Sequence, residues 1–247
     1  MAAISNPKTN TPLKAVIFDC DGILVDTEPL HYQAFQKVLV PLGLGHDYAH
    51  YMEAFIGFDD RDAFLYAFRE AGRGELDPDT LGTLIEAKAN ALDRLIEQGV
   101  PTFPGVVDLV RELYTRKIPL AVASGALRYE VNAFVKSLGL TDAFCTIVAA
   151  DEVKKSKPDP ETYLLAIDRL GDVLGWQSAD PHGCAAIEDT PAGIHAAKAA
   201  GLYAIGVTNS FPKEELQEAD HVVGSLAELN CTKLENLLSP DRGGRRK

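Results

Sequence analysis

Cysteine is scarce in this chain: four residues, Cys20, Cys145, Cys184 and Cys231, among 247, with no C-x-x-C pair. That is too sparse for a disulfide framework and points to a reducing compartment. Long apolar runs are missing too. No stretch approaches the roughly 20 residues of a membrane span, and the opening MAAISNPKTNTPLK has no apolar core of a secretion signal. The expected location is therefore cytoplasmic, with no membrane partner. Basic charge is the third shortage, 24 Lys and Arg against 36 Asp and Glu, a formal net charge of −12. Such a field repels polyanions, so no nucleic-acid partner is expected. An anionic substrate would need local compensation from a metal ion or a few placed cations. There is no internal repeat and no low-complexity segment. A monomer is the default expectation, with disordered tails over residues 1–12 and 239–247, the second carrying the basic, glycine-containing PDRGGRRK.

What is present reads as a globular α/β protein: 46% hydrophobic and 24% charged residues, enough to bury a full core. KAVIFD (Lys14 to Asp19) is a short apolar run without polar alternation, as in a strand covered on both faces. PLAVAS, FCTIVA, GCAAIE and LYAIGV repeat that character. Helical stretches lie between them, at Gly105 to Arg116, Leu127 to Leu138, Pro160 to Leu170 and Pro191 to Ala200. Strand-helix alternation predicts a parallel sheet with helices on both faces and a ligand edge at the strand C-termini. From about Glu28 to Gln98 the rhythm breaks into amphipathic helical patterns with no convincing strand. The expectation is an α/β core, residues 13–27 plus 100–238, carrying an inserted all-α subdomain at 28–99, with GVPTFPGV as the return linker.

Chemistry-bearing residues collect at the predicted strand ends. In F-D-C-D-G, extended-chain alternation points Asp19 and Asp21 to one side and Cys20 away. Two carboxylates that close call for a cation, a shared proton or a split acid/base pair. Taken alone, the pair reads equally as an acidic cap on the turn at Gly22. Glu188 and Asp189 end another apolar run and bring more carboxylate to the same edge, although by themselves they would merely cap the helix starting at Pro191. Three or four carboxylates favour a hard, oxygen-seeking cation, best Mg2+. KKSKPDP (Lys154 to Pro160) is the densest basic patch of the chain, and its Lys157 could balance phosphate and carboxylates; the plainer reading is a solvated turn. Ser124 and Gly125 offer a hydroxyl and a backbone N–H beside a helix start.

The order of these elements resembles the haloacid dehalogenase superfamily of aspartate-nucleophile phosphotransferases. D-x-D-G at Asp19 to Gly22, Ser124, Lys157 in S-K-P-D-P, and E-D-T-P-A-G-I at Glu188 to Ile194 match its four motifs in sequence, over a span of about Leu13 to Leu238. FDCDGILVDTEPLH and the position of the helical insertion are similar to the β-phosphoglucomutase/phosphoglycolate-phosphatase branch. The resemblance implies a Rossmann-like core with a helical cap and a Mg2+-dependent phosphatase acting on a small-molecule phosphate ester. It implies Asp19 as nucleophile, Asp21 as general acid/base, Asp19, Asp21 (by its carbonyl), Asp189 and Glu188 around the metal, and Ser124, Gly125 and Lys157 around the phosphoryl oxygens. Carbon-halogen cleavage, which needs no acid for its leaving group, and phosphonate cleavage, whose motif lacks the second Asp, are disfavoured.

Cap residues that would select the substrate are His31, at the place of a mutase cap histidine, Arg61 and Lys88; each reads equally as an ordinary helix residue. Where the mutases carry a second hydroxyl after Ser124 this chain has Ala126, with Arg128 as a replacement contact, which leans the reading towards hydrolysis. A sugar-phosphate isomerase is the alternative, and a catalytically silent binding protein a more distant one. His46 and His50 have the i, i+4 spacing of a zinc helix but lack the Glu and a third ligand. Trp176 and the segment His182 to Cys184 receive no role.

Overall fold

The computed structural model describes residues 13–55, 58–176 and 180–239. Residues 1–12 and 240–247, the bulk of the expected tails, lie outside them. The chain divides into two compact units, one formed by Met1–Asp26 and Pro101–Lys247, the other by Thr27–Val100.

The first unit is built on strands β1 (Ala15–Phe18), β2 (Leu120–Ala123), β3 (Thr146–Val148), β4 (Cys184–Glu188), β5 (Tyr203–Val207) and β6 (His221–Val223). They form one sheet in the order β3-β2-β1-β4-β5-β6, parallel throughout. Every residue of β1, β2 and β4 is buried, because helices cover both faces and neither can be polar. Each large side chain taken out of water there contributes about 1.5 to 3 kcal/mol. Phe18 lies opposite Val122 on one side and Ile187 on the other. The three central strands therefore end level, and the residues just beyond them, Asp19, Ser124 and Asp189, emerge at one sheet edge. The strand β6 has no counterpart among the five strands read from sequence: it is three residues long, begins with His221, and sits at the sheet edge, where apolar patterning is weakest.

The second unit is helical: α1 (Glu28–Leu39), α2 (Tyr48–Ala54), α3 (Asp60–Glu70) and α4 (Pro78–Gln98). Asp47, Asp59 and Asp77 cap the last three through their carboxylates. Its core includes an aromatic cluster in which Phe35 packs against Tyr51, Phe55 and Phe64. The helices α5 (Val106–Thr115), α6 (Arg128–Ser137), α7 (Glu161–Leu174), α8 (Pro191–Ala199) and α9 (Cys231–Leu238) belong to the first unit.

Candidate active site

At the C-terminal edge of β1, β2 and β4, one ammonium meets several carboxylates. Lys157 Nζ lies 2.5 Å from Asp19 Oδ1 and 2.6 Å from Glu188 Oε1, and donates to the Ala123 carbonyl at 2.9 Å. The loop that carries Lys157 is tied down by Glu161, whose carboxylate accepts the amides of Lys154 and Lys155. Tyr163, on the buried face of α7, donates its hydroxyl to Glu188 Oε1 at 2.8 Å, and its ring lies under the Lys157 ammonium at 4.9 Å. Asp19, Glu188 and Asp189 are all buried, with ligand oxygens within 4.8 Å of one another.

Two glycines make the cluster sterically possible. Gly22 has φ +79°, and a Cβ there would sit 1.8 Å from Asp189 Oδ2; a Cβ on Gly193 would sit 1.9 Å from Glu188 Oε1. Neither carboxylate could keep its place beside an alanine. Gly22→Ala adds backbone strain to the clash and is expected to cost about 1 to 3 kcal/mol of stability and at least about 100-fold in activity. Urea denaturation and steady-state kinetics check this; wild-type kinetics in the variant would refute it.

Charge in the cluster does not balance. Burial pushes the Asp19 carboxyl well above the usual range; Lys157 opposes the shift, while Glu188 and Asp189 add to it. Burial also opposes charge on Lys157, but Asp19 and Glu188 outweigh it and hold the ammonium above its ordinary range. Asp189 is pushed up to about 7, mainly by burial, against a lowering hydrogen bond from Ser210. With all three carboxyls ionised, the one ammonium leaves negative charge unmet, and among the described residues Asp189 Oδ1 is buried with no hydrogen-bond partner. A buried acceptor left open beside two other carboxylates is what a hard divalent cation requires. The donor set fits Mg2+.

Ser124 is buried at the end of β2, and its Oγ accepts the Ala126 amide at 2.9 Å. Gly125 beside it faces open space. Asp21 is partly exposed in the turn after Asp19, bridged to Val25. Cys20 is fully buried; burial, then Asp21 and Asp19, raise its thiol. Arg128 is not brought to this cluster: its guanidinium pairs with Glu152, which also binds Arg169, and donates to the Ile147 carbonyl at 2.6 Å.

Residues 16–207 match the family model described as haloacid dehalogenase-like hydrolase. The chain belongs to this family. Fructose-1-phosphate phosphatase YqaB of Escherichia coli is 35% identical over 194 residues, covering 78% of this chain and 95% of that protein. The crystal structure of a CbbY mutant from Rhodobacter sphaeroides in complex with xylulose 1,5-bisphosphate is 31% identical, with a TM-score of 0.68 over 88% of this chain and 96% of that one. A β-phosphoglucomutase from Clostridium difficile gives the same TM-score at 26% identity, over 92% of this chain and 97% of that one. The two solved structures share the fold of this chain, a six-stranded parallel sheet with an inserted helical unit.

Within the helical unit, His31 and Lys88 come together. Lys88, on α4, is only 2% exposed, and its Nζ contacts His31 Nδ1 at 2.9 Å, Asp60 Oδ1 at 2.6 Å and the Phe35 ring at 4.9 Å. Burial and then the Lys88 ammonium push His31 down to about 4, so the imidazole is neutral at pH 7. Arg61 is exposed in the first turn of α3. His50, set aside as a zinc ligand, pairs with Glu70 at 3.1 Å.

Tyr163, Asn209 and Ser210 escape a reading of motifs. Tyr163 follows Lys157 by six residues on the apolar stripe of α7 and looks like an ordinary core residue. Asn209 and Ser210 follow the apolar run LYAIGV, and polar residues directly after a central strand were the available signal.

Proposed function

We propose that this chain is a Mg2+-dependent phosphatase of a small phosphorylated metabolite, of the sugar-phosphate or phosphoglycolate type, acting through an aspartyl-phosphate on Asp19. The observation that carries the reading is Asp19 at a strand C-terminus, 2.5 Å from the Lys157 ammonium and flanked by two further buried carboxylates. Relatives named as a fructose-1-phosphate phosphatase and as CbbY with a bound sugar bisphosphate support the substrate class.

In this reading an Asp19 oxygen attacks phosphorus in line as the ester P–O bond breaks, and Asp21 gives its proton to the departing oxygen. Asp21 then takes a proton from water as that water attacks the phosphoryl group, which frees Asp19 and inorganic phosphate. Lys157, the Ser124 hydroxyl and the Gly125 amide hold the phosphoryl oxygens, whose negative charge must be met throughout transfer. Asp19, Glu188, Asp189 and the Asp21 carbonyl would hold Mg2+, which when bound supplies positive charge against those same oxygens. His31, Lys88 and Arg61 are the residues of the helical cap assigned to substrate selection.

Phosphate release from phosphoglycolate, sugar phosphates and sugar bisphosphates, with and without Mg2+, tests the reading. One ester turned over with a clearly higher kcat/KM, lost with EDTA, supports it and names the substrate. Isomerisation of glucose 1-phosphate on addition of a bisphosphate primer, without net hydrolysis, would replace it with the mutase. Apparent Mg2+ affinity should also fall at least about tenfold per unit as pH drops below about 7, because a protonated Asp189, and Asp19 whenever it is protonated, must give up its proton to bind metal. A flat affinity from pH 8 to pH 5.5, followed by calorimetry, contradicts that.

A further inference from the structure

The loop after β5 reaches both acidic motifs at once. Glu188 pairs with Gly206 in the β4–β5 ladder, so the residues beyond Val207 emerge at the same sheet edge as Asp189, one strand over. The Thr208 amide binds the Val223 carbonyl at 3.1 Å and secures the base of the loop to β6, while Phe211 packs against the core. Between these anchors Asn209 Nδ2 donates to the Gly22 carbonyl at 2.6 Å, and the Ser210 hydroxyl donates to Asp189 Oδ2.

The two oxygens of Asp189 are thereby made different. Oδ2 is held by Ser210 and packed against the bare Cα of Gly22, whereas Oδ1 is buried with no hydrogen-bond partner among the described residues. A carboxylate fixed by one oxygen cannot swivel, so the other stays aimed where it was left. Groups that orient a metal ligand in this way typically control affinity by about 10- to 100-fold.

We infer that Ser210 is a positioning residue, locking the Asp189 carboxylate through Oδ2 so that Oδ1 is presented to the cation, and that Asn209 holds the Asp21–Gly22 turn in register with it. The inference rests on the Mg2+ reading above. Ser210 is itself exposed, so replacing it leaves core packing intact.

The test is calorimetric Mg2+ binding to the full chain, stripped with EDTA, for wild type, Ser210→Ala, Ser210→Thr, Ser210→Val and Asp189→Asn, each shown to be folded by circular dichroism. Thr and Val share a shape and differ in the hydroxyl, so they separate orientation from packing. The expected result is a Kd raised about 10- to 100-fold in the Ala and Val variants and returned towards wild type in Thr. A wild-type Kd in Ser210→Ala, or equal weakening in Thr and Val, overturns the role of Ser210 while leaving the metal site standing. No Mg2+ binding by wild type, or an unchanged Kd in Asp189→Asn, overturns the metal reading itself and this inference with it.

Discussion

Asp19→Asn is expected to lower kcat/KM for phosphate-ester hydrolysis by about ten-thousand-fold while leaving the protein folded. The amide keeps the shape of the carboxylate but is a poor nucleophile, and loss of a covalent nucleophile costs on that scale or more. Folding should survive because Lys157 keeps Glu188 at 2.6 Å and the Ala123 carbonyl at 2.9 Å when Asp19 becomes neutral. Phosphate release measured against a thermal melt of the same sample separates the two effects. Turnover above about 1% of wild type in a folded variant would remove Asp19 from the nucleophile's role.

Lys157→Met should be damaging in a different way. The Lys157 side chain is 13% exposed, that of Asp19 10% and that of Glu188 1%, so removal of the ammonium strands two buried carboxylates. Breaking a buried pair from one side costs about 3 to 5 kcal/mol, and loss of a charge that meets the transferring group costs about 100- to 1,000-fold in rate. The penalty should depend on pH. Asp19 already sits well above its unfolded value with the lysine present, and without it the carboxyl rises further. Between the unfolded and folded values the native state holds more protons, so stability falls as pH rises through that window. Urea denaturation in EDTA should therefore show a large deficit at pH 8 that shrinks towards pH 5. An equal deficit at both values would mean that lost packing, not stranded charge, explains the variant.

Much of this arrangement was legible in the chain itself, because a two-sided parallel sheet demands continuous apolar runs and puts its chemistry immediately after them. Asp19, Ser124, Glu188 and Asp189 each sit one or two residues from the end of such a run, and the recurrence of polar residues at these points carried more than any single motif. Five of the six strands followed from the same logic, while β6 did not, since an edge strand of three residues has too little buried surface to impose a pattern. The helix α2 falls within the stretch read as helical from Glu28 to Gln98, and the Asp47 carboxylate caps its start.

Side-chain direction was the harder quantity. Lys88 is a charged residue on an amphipathic helix, and only the placement of His31, Asp60 and Phe35 around it shows that it is buried. Arg128 stands four residues after Ser124, and its guanidinium is paired with Glu152. Ser210 and Asn209 belong to the site through contacts spanning 21 and 187 residues of sequence. Local patterning carries no trace of such a pairing.

That last separation has a consequence for how the protein is made. Gly22, at the heart of the first acidic turn, waits for Asn209, and Asp19 waits for Lys157 across 138 residues. At ribosomal rates of 5 to 20 residues per second, about 10 to 40 s pass between synthesis of the first turn and synthesis of the loop that holds it. A nascent chain that ends before Asn209 therefore carries the acidic turn without the side chain that holds the Gly22 carbonyl. The contacts that hold the first acidic turn thus depend on residues that leave the ribosome late.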